Sequence, residues 1–447
     1  MIKKLPTTHP STPSSGPRGY PLLTNRSGQS LIEIVVGLGI GALLIGAGSF
    51  AIFAMLRSNV STEKYRAASG FSQELIDTAR SFAGASWQNL YGLAKGSSTT
   101  YYMNASGTAY FVVDGEEGML DNDVTNGLVA RWGFDENSAS TSTTTYDATG
   151  NNNNGTLTNS PARASSTCKM GNCINFNGTD NYVGVPEATG TLDITNALTF
   201  AAWIYPTSTA SYRPIAAKIP PAYGSGYEFA NSSGVFRTTL RTGAGNCDFI
   251  NGALTLNAWQ HVASVYNGSA TSHYLNGTLS SSSAACAYGA AANNNDLYLG
   301  GRASDASRFA GVIDDVRLYN RALSADEVQR LYNSGIYKRF FAVENVCRTD
   351  DASSTIAGTV PCSGTSEDSS TEQITVRTQW TAGAGTGEVK IVSFITRAQN
   401  AVFQQTDWSG GSGASGAYAA APSTYASGTN VSTSTPGSIQ IQNLTQQ

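Results

Sequence analysis

The sequence predicts an α+β fold with an all-β sandwich inserted into it, on three observations. A long apolar run near the N-terminus continues as an amphipathic helical period. Alternating strands rich in Tyr, Val and Phe occur both before Leu128 and after Gly335. Between those points the pattern changes to short strands separated by Asn-, Gly-, Ser- and Thr-rich loops, the texture of a sandwich. At 447 residues the chain is too long for one ordinary core.

The helix comes first. From Ile34 to Leu56 no charge appears, and Arg57 closes the run. Those 23 residues, rising about 1.5 Å each, span the roughly 30 Å of a bilayer's hydrocarbon core. Val60, Tyr65, Ala68, Phe71, Leu75, Ala79 and Phe82 then recur at three to five residues. The spacing predicts one helix from Ser30 to Phe82, half in membrane and half packed on a soluble domain, ended by Gly84. The leader, Met1–Gly28, holds Lys3, Lys4, Arg18 and Arg26 and no acid, which keeps that end cytoplasmic. An ordinary secretory peptide fits poorly, because its cut would follow the apolar run.

The stretch Gly28-Gln29-Ser30-Leu31-Ile32-Glu33 ahead of the run resembles the N-terminus of type IV pilin-like proteins. The resemblance implies cleavage after Gly28 by a prepilin peptidase, with Gln29 as the new N-terminus and Glu33 as the fifth mature residue. It further implies a filament of other pilin subunits in which the Glu33 carboxylate meets a neighbour's α-amino group, two charges that are costly in hydrocarbon neutralising each other. The family's first mature residue is usually Phe or Met and is N-methylated; Gln29 departs from that motif. The alternative is an ordinary signal anchor whose Glu33 reaches the headgroups.

Charged residues make up 13% of the chain. Without the leader, 23 basic residues face 31 acidic ones, a formal charge of −8. That balance argues against a direct nucleic-acid grip. The six cysteines, Cys168, Cys173, Cys247, Cys286, Cys347 and Cys362, match no zinc spacing. In an exported domain they read as three disulfides, most simply 168–173, 247–286 and 347–362, with other connectivities open.

Further along, Trp87–Leu93 reads as an apolar connection, and Tyr101–Met103 with Tyr110–Val113 as a hairpin. Asp114–Glu117 is a polar loop whose adjacent Glu116 and Glu117 are expected to be solvated. The middle region opens with Leu128–Asp135 and runs through Tyr146–Gly150, Asn151–Asn154, Phe176–Val183 and Trp259–Tyr266. It closes on Ile313-Asp314-Asp315-Val316-Arg317-Leu318-Tyr319. In that order these segments resemble the laminin-G-like, concanavalin-A-like jelly rolls, over 127–335. Ser324 and Glu327 form a capping box that starts a helix over Ala325–Asn333. Afterwards Tyr337–Val346, Gln373–Trp380 and Glu388–Thr396 return as strands of one sheet.

The organisation expected is therefore a leader (1–28), a pilin-like helix and first strands (29–126, membrane segment 34–56), a jelly roll (127–335), the rest of the pilin-like sheet (336–408) and a low-complexity tail (409–447).

Calcium takes several oxygen ligands, and Asp147 with the Asn151–Asn154 loop, Asn152 included, and Asp314 or Asp315 supply them. The jelly-roll resemblance implies a structural Ca2+ near those segments. The plainer alternative has Asp147 and the asparagines making loop turns and the Asp314/Asp315 pair bonding to backbone. As neighbours on a strand the two aspartates face opposite ways, so a bulge is needed for both to reach one ion. A retaining glycosidase needs two carboxyls about 5–5.5 Å apart, and no matching acidic pattern lies on any strand, so no enzyme is expected. His261 and His273 sit in apolar strands and read as core.

Ligand recognition remains. Tyr205, Tyr212, Tyr223 and Tyr227, with Arg213 and Arg302, fall in or near loops where they could stack on sugar rings. The expectation is a membrane-anchored minor filament subunit, displayed at the cell surface, that binds a glycan or cell-surface ligand. A pseudopilin of a secretion or DNA-uptake machine and a membrane-tethered glycan hydrolase are its rivals.

Overall fold

The computed structural model describes residues 31–164, 167–187, 190–219, 224–242, 245–286, 293–302, 305–349, 356–359, 366–382, 385–397, 431–432 and 440–441. Gly28 and Gln29 lie outside them, as does the Glu33 side chain. Two compact units divide the chain after Ser61, inside helix α1 (Leu31–Ala85). In the first unit the helix is apolar and bare: Leu43 and Phe50 are each 75% exposed. Among the described residues, this is the one helix long and apolar enough to cross a membrane.

The second unit begins with the remainder of α1. Ala68, Ser72, Leu75, Ile76 and Ala79, spaced by three and four, are buried. Leu75, Ile76 and Ala79 share a core with Phe341, Val343, Ile374 and Val376 of an antiparallel sheet. The helix runs through Gly84 to Ala85, one residue past the glycine expected to end it. Gly84 does not take the left-handed conformation that ends helices, and the stop comes from Ser86, whose φ of −158° is extended. The expected connection is a short helix, α2 (Trp87–Tyr91).

Next come β1 (Tyr101–Ser106), β2 (Ala109–Asp114) and β3 (Glu117–Leu120). The expected polar loop thus ends in a strand, and its two glutamates are half-buried and paired. Glu116 pairs with Lys338 at 2.7 Å and Glu117 with Arg339 at 2.8 Å.

The sandwich follows as β4 (Leu128–Trp132), β5 (Thr144–Thr145), β6 (Gly155–Thr158), β7 (Ala162–Ala164), β8 (Cys173–Asn177), β9 (Tyr182–Val185), β10 (Leu198–Pro206) and β11 (Tyr212–Lys218). It continues through β12 (Gly226–Ser232), β13 (Val235–Thr242), β14 (Gly245–Ala253), β15 (Gln260–Tyr266), β16 (Thr271–Leu275), β17 (Thr278–Ser282), β18 (Leu297–Leu299) and β19 (Ala310–Tyr319). Helix α3 (Ala325–Asn333) carries the expected capping box. The chain then enters β20 (Ile336–Arg348), β21 (Ile356–Thr359), β22 (Ser366–Ala382) and β23 (Gly385–Thr396).

The sandwich has two sheets. One runs β17-β16-β15-β10-β19-β8-β7, with β4 also on β19; the other runs β14-β13-β12-β11-β18-β9-β6-β5. Trp132, Phe200, Phe229, Phe236 and Ile313 fill the space between them, and Phe200 stacks on Phe229 with centroids 4.2 Å apart. A third sheet runs β2-β1-β20-β22-β23, with β3 and β21 on β20, and Val431–Ser432 pairs with Gln440–Ile441 separately. Because Ile336 of β20 pairs directly with Leu120 of β3, the chain leaves and re-enters this sheet at one point, and the sandwich is an insertion there.

Two of the expected disulfides are present, Cys168–Cys173 and Cys247–Cys286, with Cα atoms 5.4 and 5.9 Å apart. Cys347 is also disulfide-bonded, and its expected partner Cys362 lies outside the described residues.

Candidate ligand-binding site

The sandwich has two outer faces, and they differ. On the sheet containing β10 and β19, period-two alternation turns Trp203, Ala201, Ala263 and Tyr319 outward. They are covered by Val328 and Leu331 of α3, by Leu120 and Val124, and by Met170 from the disulfide loop.

Asp314 and Asp315 lie under that cover. The register slips between Ala201 and Trp203, and Asp315 has φ +45°, so β19 contains a bulge there. Both carboxyls therefore work on one side, Asp315 engaged through both oxygens and Asp314 through one. Asp314 Oδ2 accepts the backbone N–H groups of Lys169 and Met170 at 2.9 and 2.8 Å. Asp315 sits between Arg131 Nε at 2.8 Å and Arg317 Nε at 2.7 Å, and Arg317 reaches on to Asp123. The two guanidiniums hold the Asp315 carboxyl down at about 2 against the opposing effect of burial.

Asp147 is likewise buried. Its oxygens accept from the backbone N–H of Arg131, Thr149 and Asn153 and from the Thr149 hydroxyl. Asn152 lies in the left-handed region, and its Oδ1 takes the Ser106 hydroxyl at 2.7 Å. These donors occupy Asp147, Asn152, Asp315 and one oxygen of Asp314, whose buried Oδ1 accepts no hydrogen bond from the described residues. Among the described residues, no group of three or more His, Cys, Asp and Glu side chains is placed to hold a metal. Buried His261 packs edge-on to Trp203, and burial pulls its pKa down to about 4. His273, against Phe236 and Phe249, is also lowered to about 4 by burial.

Among the described residues, no apolar cluster packs on the other sheet's outer face. Tyr227 and Phe229 of β12, and Phe236 and Leu240 of β13, point into the core, so Glu228, Arg237, Thr239 and Arg241 point outward. Cross-strand register sets Glu228 opposite Thr239, and Thr239 opposite Asp248 of β14. Arg237 bonds Asp248 at 2.9 Å. At the start of β11, the half-buried Tyr212 ring lies 5.3 Å from the Arg237 guanidinium and 4.7 Å from that of Arg302. Arg302 is held by Asp305, with Nε 3.0 Å from both oxygens, and by Glu228 at 3.4 Å.

Burial raises the Glu228 pKa, with Arg302 opposing. Burial and then the Glu228 charge raise that of the Tyr212 phenol, which stays protonated and donates to Glu228. On the next two strands of the sheet, Tyr298 of β18 and Tyr182 of β9 face the same side, with centroids 5.3 Å apart, and Arg308 lies 4.8 Å from the Tyr182 ring. The face thus carries two aromatic stations, each flanked by arginine; Glu228 and Thr239 beside them are buried, while Asp248 and Asp305 are each 35% exposed. Such a surface stacks on flat apolar ring faces and exchanges hydrogen bonds with hydroxyl groups.

Of the residues singled out in the sequence, the fold unites Tyr212 and Arg302 here. Tyr227 points into the core and gives its hydroxyl to the Leu192 carbonyl. Tyr205 packs edge-on to Trp259, and Arg213 bonds backbone carbonyls of Ala210 and Arg308. Tyr223 lies outside the described residues. Glu228, Arg237, Asp248, Tyr182 and Tyr298 were missed. The signal for the first two was present: a polar residue flanked by core aromatics on a strand faces out.

A comparison with curated proteins finds no match. The chain is similar to domain 4 of an extracellular arabinanase from Geobacillus stearothermophilus, solved in complex with arabinotriose (22% identity, TM-score 0.38, covering 46% of this chain and 98% of that one). It is also similar to the binding domain of Paraclostridial Mosquitocidal Protein 1 (13% identity, TM-score 0.39, covering 60% and 75%). A third is a Trypanosoma rangeli sialidase in complex with the inhibitor DANA (18% identity, TM-score 0.35, covering 47% and 33%). Within the chain, residues 177–329 match the model of the Concanavalin A-like lectin/glucanases superfamily.

Proposed function

We propose that this protein is a membrane-anchored, exported display subunit that binds a glycan or glycan-bearing cell surface through the open face of its sandwich. The observation that carries the reading is the contrast between the two outer faces: one is sealed by α3 and the disulfide loop, while the other leaves Tyr212, Tyr182 and Tyr298 half-buried beside Arg302, Arg237 and Arg308. The match of 177–329 to a lectin and glucanase family supports it. Binding rather than hydrolysis is the reading we adopt, with Arg302 paired to both Glu228 and Asp305.

In the same proposal the chain is a minor subunit of a type IV pilus-like filament. Prepilin peptidase cuts between Gly28 and Gln29, and Glu33 neutralises the amino terminus of a neighbouring subunit. The bare apolar half of α1, continuous with a half that packs on a sheet, supports this.

The test is a glycan array probed with the full chain in detergent. Saturable binding that Tyr212→Ala weakens about tenfold supports the reading; no retention of the wild-type chain by any glycan or cell surface sinks it. Separately, co-expression with a prepilin peptidase should yield a mature N-terminus at Gln29, lost in Gly28→Glu.

A further inference from the structure

At the far end of β11, Lys218 has a side chain with no solvent exposure. Its ammonium lies 2.6 Å from Asp193 Oδ1, 2.7 Å from the Asn293 carbonyl, 3.0 Å from Asn293 Oδ1 and 3.2 Å from Glu187 Oε2. Four oxygens from two separate loops thus converge on one positive point. The loops are braced independently of the lysine: Asn293 N–H donates to Asp193, Asn293 Nδ2 to the Ser225 carbonyl, and Gly190 N–H to Glu187 Oε1. Strand β12 can approach the β11 backbone at Lys218 because residue 226 is glycine; a Cβ there would come within 1.9 Å of the Lys218 carbonyl.

We infer that the Lys218 ammonium is a built-in cation at a cage whose donors suit a divalent ion of the calcium class, so that removing the ammonium turns the cage into a metal site. The donor set is all oxygen: two carboxylates, an amide and a backbone carbonyl, the set calcium takes, with water completing the shell. Charge points the same way. Glu187 and Asp193 carry two negative charges, one of which the ammonium neutralises; a divalent cation neutralises both. Truncation to alanine deletes four heavy atoms and opens room for an ion and its waters. Lys218 thus makes this end of the sandwich independent of calcium, a variable quantity outside a cell. The Asp315 carboxylate is likewise held by groups the chain itself carries, the guanidiniums of Arg131 and Arg317.

The test is thermal unfolding of the full chain in detergent, in EDTA, in millimolar CaCl2 and in NaCl of matched ionic strength. Lys218→Ala should lose about 10 °C in EDTA, the size expected when two buried carboxylates lose their partner. It should recover most of that loss with calcium in a dose-dependent way, and not with NaCl. Wild-type stability should be indifferent to calcium, and Lys218→Ala/Asp193→Asn should lose the rescue. If Lys218→Ala does not fold in EDTA, calcium during refolding should restore it. Lys218→Met, which keeps the cage filled, should be destabilised without rescue. Absence of calcium rescue in Lys218→Ala, an equal calcium effect on the wild type, or full stability of Lys218→Ala in EDTA would each overturn the inference.

Discussion

The two outer faces of the sandwich use the same residue types to opposite ends. On the covered face, Arg131, Asp315, Arg317 and Asp123 form a chain of ion pairs with Asp315 and both arginine side chains at most 7% exposed. On the open face, Arg237, Asp248, Arg302 and Asp305 form comparable pairs in contact with water; Asp248 and Asp305 are each 35% exposed. A buried pair whose partner is removed leaves a charge stranded in a low-dielectric interior, whereas a surface pair is screened. The difference teaches which arginines hold the insertion in place and which are available to a ligand. The chain Arg131–Asp315–Arg317–Asp123 links β4, β19 and the segment leading out of β3, so it fastens the sandwich to the sheet that carries it.

The sharpest way to break the comparison is Asp315→Ala. It strands two buried guanidiniums and should cost about 3–5 kcal/mol, whereas Asp248→Ala on the open face should cost at most about 1 kcal/mol. Chemical denaturation of both variants decides it; equal losses would mean that the two faces do not differ energetically.

Acid should act on the buried side next. His261, lowered to about 4 by burial, is neutral when folded, while an unfolded histidine titrates near 6.5. A lowered folded value means that the unfolded chain binds the proton first. The stability His261 contributes is therefore complete above about pH 6.5 and is lost as pH falls toward 4, by about 3 kcal/mol in all. His273 adds a similar loss. In Tm against pH, His261→Phe should remove roughly half of the histidine-dependent fall between 6.5 and 4; an unchanged slope would refute the assignment.

On the open face the expected effects fall on binding. Tyr212→Ala and Tyr298→Ala should each weaken glycan binding about tenfold, the worth of one aromatic stacking contact, with Tm shifts of only a few degrees. Retained affinity in the double variant would move the ligand elsewhere on the sandwich.

Much of this fold could be read from the sequence, and the failures share a cause. The apolar run of α1, the capping box at Ser324 and the turn at Asn276-Gly277, both in the left-handed region, are local signals and survive folding unchanged. The bulge at Asp315 is not local. It arises where β19 must pair with β10 and β4 together, and it reverses the facing rule that alternation gives for Asp314 and Asp315. The open face was half legible: Tyr212 and Arg302 stood out as loop aromatics and cations. Glu228 and Arg237 read as ordinary strand residues until Tyr227 and Phe236 were known to point inward.

The smallest effect separates the two acids in that bulge. Burial pushes the Asp314 carboxyl well above its ordinary range, with the Met170 N–H bond opposing and the Asp315 charge adding to the rise. Asp315, one residue on, is held low. A raised group favours the folded state below the unfolded value near 4, and that contribution is lost as pH rises through the folded value. Asp314→Asn keeps an oxygen for the Lys169 and Met170 N–H groups and cannot ionise. It should therefore gain about 1 kcal/mol over the wild type at pH 8, with the gap closing toward pH 4. A gap that widened in acid would show that Asp314 is held as a carboxylate like its neighbour, and the bulge would then present two anions to one set of arginines.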